Sequence, residues 1–82
     1  MLLGQRLRSL RKSNNLRRDD VAEAIGVTPR LITFYETGDK TPSLEAAIKL
    51  ADFFDVSLDY LVGRTDDPTP PKRGSSSQEP GS

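Results

Sequence analysis

Basic side chains are concentrated at the start of this 82-residue chain. Residues 1–18 contain six Arg and Lys side chains and no acid, whereas residues 19–63 contain nine acids and three bases. Cations gathered on one face attract phosphate, so a chain of zero formal net charge can still bind nucleic acid. The alternative is an ordinary charged helix surface in contact with solvent.

Catalytic chemistry lacks its usual groups here. The chain has no Cys and no His, which removes disulfides, the usual zinc ligands and the commonest general base at neutral pH. The carboxylates are not gathered with a base or with a phosphate-binding glycine loop. The sequence therefore predicts no enzyme, no metal, no cofactor and no small-molecule substrate.

Length and hydropathy allow one small domain, because a chain of this size buries only about 60–65% of its unfolded surface. No apolar run approaches the roughly 20 residues that cross a bilayer. The N-terminus meets a charge at Arg6, too early for a signal peptide. We expect no membrane association and a cytoplasmic location.

Apolar residues in positions 1–63 recur at helical spacing, which predicts an all-α fold of five short helices. Asn14 and Asn15 suit the end of the first helix, and the second covers about 18–25. Thr28 before Pro29 starts a third helix that stops before Gly38. Ser43 and Ser57 suit the N-caps of the fourth and fifth helices, the last closed by Gly63. The apolar faces expected in the core are Leu3, Leu7 and Leu10; Val21, Ala22 and Ile25; Leu44, Ala47, Ile48, Ala51 and Phe54; and Leu58, Leu61 and Val62.

Residues 64–82 are polar, with many Pro, Gly and Ser, and are predicted to be a disordered tail or linker remnant after a domain of residues 1–63.

Within that domain, residues 18–37 have the pattern of a helix-turn-helix. Ala22 is small where two helices cross, and Gly26 lies in the turn where a positive φ is needed. The positions that hold the two helices together are Val21, Ile25, Val27, Ile32 and Tyr35. This joint placement favours DNA binding over a purely structural helical pair.

Five segments of the chain resemble the Cro/CI-type (XRE) helix-turn-helix family: LRSLRK at 7–12, VAEAIGV at 21–27, YETG at 35–38, PSLE at 42–45 and VSLDYLVG at 56–63. The resemblance covers nearly all of residues 3–63. It implies a compact five-helix, lambda-repressor-like domain that binds operators as a homodimer.

The resemblance also implies a role for each matching position. The third helix would lie in the major groove, with base contacts from Thr28, Pro29, Arg30, Leu31, Thr33 and Phe34. Arg30 is the strongest candidate, because a guanidinium can bind guanine O6 and N7 together; alternatively it contacts phosphate or solvent. Phe34 contacts a methyl or sugar group, or packs within the domain or a dimer. Phosphate contacts would come from Arg17, Arg18, Thr37, Gly38 and Lys40.

At three positions the chain departs from the residues that are usual in this family. Arg17 and Arg18 stand where the family usually has Thr and Gln, so the second helix loses a cap worth about 1 kcal/mol and gains cations that can face the DNA backbone. Asp55 stands where relatives often have Gly, but Asp tolerates the left-handed backbone.

Two further groups have implied structural roles. Arg11 and Glu36 would form an ion pair between the first and third helices; the alternative is two unrelated surface charges. The dimer candidates are Leu58, Tyr60, Leu61 and Val62, with core packing as the alternative.

The sequence thus predicts a prokaryotic or phage regulator, a sequence-specific repressor that reads a palindromic operator in double-stranded DNA through the helix at about 29–36. The alternative is a protein-interaction module, an antagonist or antitoxin-like subunit that uses the same surface. Zero net charge, Pro29 and the apolar Leu31 and Phe34 motivate that alternative.

Overall fold

Residues 2–70 are described by this computed structural model, and they form five α-helices and no strand. The helices are α1 (Leu3–Ser13), α2 (Arg18–Ile25), α3 (Pro29–Thr37), α4 (Leu44–Phe54) and α5 (Leu58–Val62). The predicted all-α, five-helix fold is confirmed. No helix within residues 2–70 is long and apolar enough to cross a membrane.

Side-chain hydroxyls begin three of the helices, as predicted. The oxygens of Thr28, Ser43 and Ser57 accept the backbone N–H three residues further on, at 3.2, 3.1 and 2.9 Å. Each bond satisfies a donor that the first helical turn leaves without a partner. At the end of α4, Asp55 adopts the left-handed conformation with φ 57°, so the aspartate takes the backbone expected of a glycine there.

The core lies between the five helices, each of which contributes buried side chains. Its fully buried side chains are Leu7, Val21, Ile32, Leu50 and Leu61. The expected apolar face of α4 was partly wrong, since Leu44 and Ile48 are 69% and 42% exposed, whereas Leu50 is wholly buried. The reason is that α4 packs mainly against α2 and α5, which cover the Leu50 side of its apolar stripe and leave the other edge open.

Gly4 allows α1 to approach the end of α3 closely. A Cβ at this position would lie 2.6 Å from the carbonyl oxygen of Glu36 and 2.8 Å from that of Tyr35. Both obstacles are backbone atoms, which cannot rotate away. The spacing of α1 and α3 therefore requires a residue without a side chain.

Residues 64–70 contact the helices, although the domain was predicted from the sequence to end at residue 63. The Arg6 guanidinium donates to the carbonyl oxygens of Tyr60 and Thr65, and it pairs with Asp66 at 2.7 Å. The Ser57 N–H donates to the Pro68 carbonyl at 3.1 Å. Hydropathy could not reveal these contacts, because they join polar groups. The rest of the predicted tail, 71–82, lies outside the described residues.

Gly4→Ala is expected to destabilise the domain by about 1–3 kcal/mol, the usual cost of overpacking. The direction is diagnostic, because Gly to Ala within a helix ordinarily stabilises by about 0.5–1 kcal/mol. Urea unfolding followed by circular dichroism measures the change, with the exposed Gln5→Ala on the same helix as the control. Equal or greater stability of Gly4→Ala would show that α1 and α3 can separate without cost.

Arg6→Ala is expected to release residues 64–70 from the helices. Amide hydrogen exchange at Ser57, whose N–H is bonded to Pro68, should accelerate because the segment is no longer held by the guanidinium. Arg8→Ala, an exposed position on α1, is the control. An unchanged Ser57 exchange rate in Arg6→Ala would mean that the segment is held by other contacts.

Candidate nucleic-acid interface

A tight turn at Gly26 sets the direction of α3. The N–H groups of Gly26 and Val27 both donate to the Ala22 carbonyl, at 2.9 and 3.0 Å. Gly26 has φ +78°, in the left-handed region that other residues rarely adopt. Because Thr28 then caps α3 at once, only three residues, Gly26, Val27 and Thr28, separate the end of α2 from the start of α3.

One side of α3 is anchored and the other faces outward. Ile32 and Tyr35 are buried, and burial raises the pKa of the Tyr35 hydroxyl. Of the six predicted base-contact residues, Thr28, Pro29 and Arg30 are exposed and Leu31, Thr33 and Phe34 are half-buried, with Leu31 also packed against the core.

An open cleft of about 410 Å³ lies along this side of α3, lined by Thr28, Arg30, Leu31, Phe34 and Lys40. Lys40 comes from the loop after α3, so the cleft joins the helix to the loop. Two of its five lining residues are cations and none is an acid. The cleft is therefore suited to polyanions with an apolar component, such as a nucleic-acid edge.

The loop after α3 uses its own backbone donors. The N–H groups of Gly38 and Lys40 both donate to the Phe34 carbonyl, at 3.0 and 3.2 Å. The Thr37 hydroxyl donates to Asp39 at 2.9 Å. The donors expected at Thr37 and Gly38 are thus already engaged within the chain, whereas the Lys40 side chain is exposed.

A buried carboxylate joins α3 to α1. Glu36, whose side chain is 2% exposed, accepts from Arg11 Nε at 2.7 Å and from Arg11 Nη2 at 3.1 Å. This two-pronged geometry is the strongest that an ion pair adopts. The hydrogen bond to Glu36 raises the pKa of Arg11 despite the opposing effect of burial.

Arg18 shares the same carboxylate, a contact that the sequence analysis missed. Its Nη2 lies 3.2 Å from Glu36 Oε1, and its side chain is 40% exposed. Its guanidinium is therefore partly committed inside the domain. The helical spacing that points Arg18 outward gives no signal of this contact, which depends on where α3 ends relative to α2.

The start of α2 is stabilised in a way that the sequence analysis also missed. Arg17 offers no side-chain acceptor, as expected, but its backbone N–H donates to Asp20 Oδ2 at 2.8 Å. Asp20 thus supplies the carboxylate half of a capping box. The Arg17 side chain remains exposed, 3.9 Å from Asp20, and is available to an external anion.

The dimer candidates in α5 divide into two groups. Leu61 is fully buried, so it belongs to the core and cannot lie in a subunit contact. Leu58, Tyr60 and Val62 are half-buried, and the Tyr60 ring lies beneath the Arg6 guanidinium at 4.1 Å.

Within the described part of the chain, no three acidic residues gather in a way that would hold a metal ion.

The glycine turn after α2 directs α3, which is anchored on one side and faces outward on the other, with Lys40 in the loop that follows. This arrangement defines a helix-turn-helix domain. The Helix-turn-helix family model matches residues 7–61. The chain belongs to this family, and its type is Cro/CI (XRE), as the sequence indicated.

Curated relatives and solved structures agree with this assignment. The chain is 46% identical over 66 residues to the uncharacterised HTH-type transcriptional regulator YobD of Bacillus subtilis, a match that covers 80% of this chain and 59% of that protein. It is 34% identical over 64 residues to the cryptic phage CTXphi transcriptional repressor RstR of Vibrio cholerae, covering 78% and 57%. The chain thus spans little more than half the length of these relatives.

The P22 c2 repressor in complex with the synthetic operator 9T has a similar structure. Its TM-score is 0.71 at 30% identity, with 74% of this chain and 92% of that chain covered. The N-terminal DNA-binding domain of SinR from Bacillus subtilis gives a TM-score of 0.68 at 29% identity, covering 74% and 90%. The predicted lambda-repressor-like architecture is confirmed.

Glu36→Gln is expected to destabilise the domain by about 3 kcal/mol, because it leaves the buried Arg11 charge without its counterion. Thermal and urea unfolding would measure the loss. The matched control is Glu45→Gln, which removes a carboxylate that is 80% exposed and pairs with Lys49 at 3.4 Å; it should change stability by less than about 0.5 kcal/mol. Glu36, Arg11 and Arg18 together form the Glu36 cluster. Equal effects of the two variants would contradict a structural role for this cluster.

Proposed function

We propose that this chain is a transcriptional regulator, acting as a repressor, that binds a palindromic operator in double-stranded DNA as a homodimer. The proposal rests on the outward side of α3, where four of the six predicted base-contact residues, Thr28, Arg30, Leu31 and Phe34, line one cleft with the exposed Lys40. A helix has the right width for the major groove, where every base pair presents a distinct pattern of donors and acceptors.

Different residues would contact the bases and the phosphates of the DNA. Arg30 is exposed and long enough to bind guanine O6 and N7 together. Leu31 and the Thr33 methyl group suit thymine methyls, although the Thr33 hydroxyl already donates to the Pro29 carbonyl at 3.3 Å. Arg17 and Lys40 would bind phosphate, and the uncommitted side of Arg18 would add to them.

The names of the relatives support this assignment. Two of them are a transcriptional regulator and a phage repressor, and a solved neighbour is a repressor bound to an operator. The alternative, a protein-interaction module, is not favoured by these comparisons. A regulator of this kind acts on DNA in the cytoplasm of a prokaryotic cell.

Selection from a randomised duplex library tests the proposal. The chain should enrich an inverted repeat whose half-sites lie about 34 Å apart, with two chains bound per operator. Affinity for the enriched duplex should fall steeply with salt, because phosphate contacts release counterions. No enrichment, together with no retention of bulk DNA at low salt, would overturn the proposal.

Arg30→Ala and Lys40→Ala are expected to weaken DNA binding in different ways. Loss of Arg30 should relax the preference at one base pair by about 1–3 kcal/mol. Loss of Lys40 should weaken all sequences alike and reduce the salt slope by about one. The control is Lys49→Ala on α4, where the lysine pairs with Glu45 and should not affect binding.

Salt titrations on the selected operator and on its point variants measure both effects. A uniform loss with a smaller salt slope in Arg30→Ala would assign Arg30 to phosphate instead of to a base. A changed base preference in Lys40→Ala would assign Lys40 to a base instead of to phosphate.

A further inference from the structure

Two cations lie over one aromatic ring at the recognition surface. The Arg30 Cζ atom is 5.5 Å from the centroid of the Phe34 ring, and the Lys40 Nζ atom is 5.4 Å from it. Both distances are within the range in which the negative face of an aromatic ring attracts a cation. One half-buried ring therefore contacts both cationic side chains of the cleft.

The backbone brings these side chains to the ring from two directions. Arg30 precedes Phe34 by four residues on α3, so the two side chains share one face of the helix. Lys40 lies beyond the end of the helix, and its N–H donates to the Phe34 carbonyl at 3.2 Å. Phe34 thus contacts Lys40 at two points: its carbonyl oxygen accepts the Lys40 backbone N–H, and its ring lies beneath the Lys40 ammonium.

Arg30 and Lys40 also differ from Arg6, Arg11 and Arg18 in their ion pairing. Arg11 and Arg18 pair with Glu36, and Arg6 pairs with Asp66. Within residues 2–70, no carboxylate pairs with Arg30 or Lys40. Two cations that share a ring and lack a counterion repel each other, and an external anion at the cleft would relieve this repulsion.

We propose that Phe34 is a positioning residue that holds Arg30 and Lys40 in a fixed relation, so that reading a base and binding a phosphate are coupled. The inference rests on the proposed DNA-binding function and assigns Phe34 a role other than direct contact with a thymine methyl. An apolar methyl contact needs only bulk, whereas positioning of the two cations needs the π face of a ring.

Phe34→Leu and Phe34→Tyr separate these roles, because Leu keeps apolar bulk without a ring and Tyr keeps the ring. The first readout is proton NMR of the free chain. Ring currents should displace the Arg30 δ-methylene and Lys40 ε-methylene signals upfield in the unsubstituted chain and in Phe34→Tyr. In Phe34→Leu both signals should return to ordinary positions.

The second readout is binding to the selected operator. Phe34→Leu should lose about two- to fivefold in affinity for each cation released, as expected from cation–π contacts at an exposed site. Arg30→Ala and Lys40→Ala should each cost less in the Phe34→Leu background than alone, which a double-mutant cycle measures. Phe34→Tyr should retain both the affinity and the coupling.

The outcomes distinguish the inference from the function on which it rests. Undisplaced Arg30 and Lys40 signals in the unsubstituted chain, or additive losses in the double-mutant cycle, would overturn the role of Phe34 while leaving DNA binding intact. Displaced signals in a chain that enriches no duplex would overturn the proposed function and the inference with it. Thermal unfolding of each variant checks that the fold is retained.

Discussion

The arrangement of the helices depends on the buried carboxylate of Glu36. It lies near the end of α3 and accepts from Arg11 of α1 and Arg18 of α2, so a single charge joins three helices. Apolar burial has no preferred direction, whereas a two-pronged ion pair has a defined geometry. The apolar core brings the helices together, and the Glu36 cluster fixes how α3 is oriented when its outer side meets a partner.

The helices could be predicted because their boundaries are local features. The hydroxyls of Ser43 and Ser57 accept backbone N–H groups three residues further on. Gly38 directly follows the last residue of α3. The packing of α4 was harder, because Ile48 and Leu50 are both apolar and lie on the two edges of one broad stripe. Which edge is buried depends on the positions of α2 and α5, which periodicity within α4 does not contain.

The candidate site was predictable to a similar degree. The inward direction of Ile32 and Tyr35 determines which α3 residues face outward, and helical spacing alone gives this. The partners of long side chains were not predictable, because they depend on tertiary placement. Arg18 reaches Glu36 only because α3 ends beside the start of α2, and Lys40 reaches the Phe34 ring only because the following loop folds back.

The contacts of Arg6 have a consequence for the order in which the domain is completed in the cell. A ribosome releases α1 first and Asp66 much later, since the two paired residues are 60 positions apart. Closing so long a loop costs little more entropy than closing one half as long, but it must wait until Asp66 has emerged. A nascent chain that has just passed Gly63 contains all five helices and still lacks the contacts that Arg6 makes with Thr65 and Asp66.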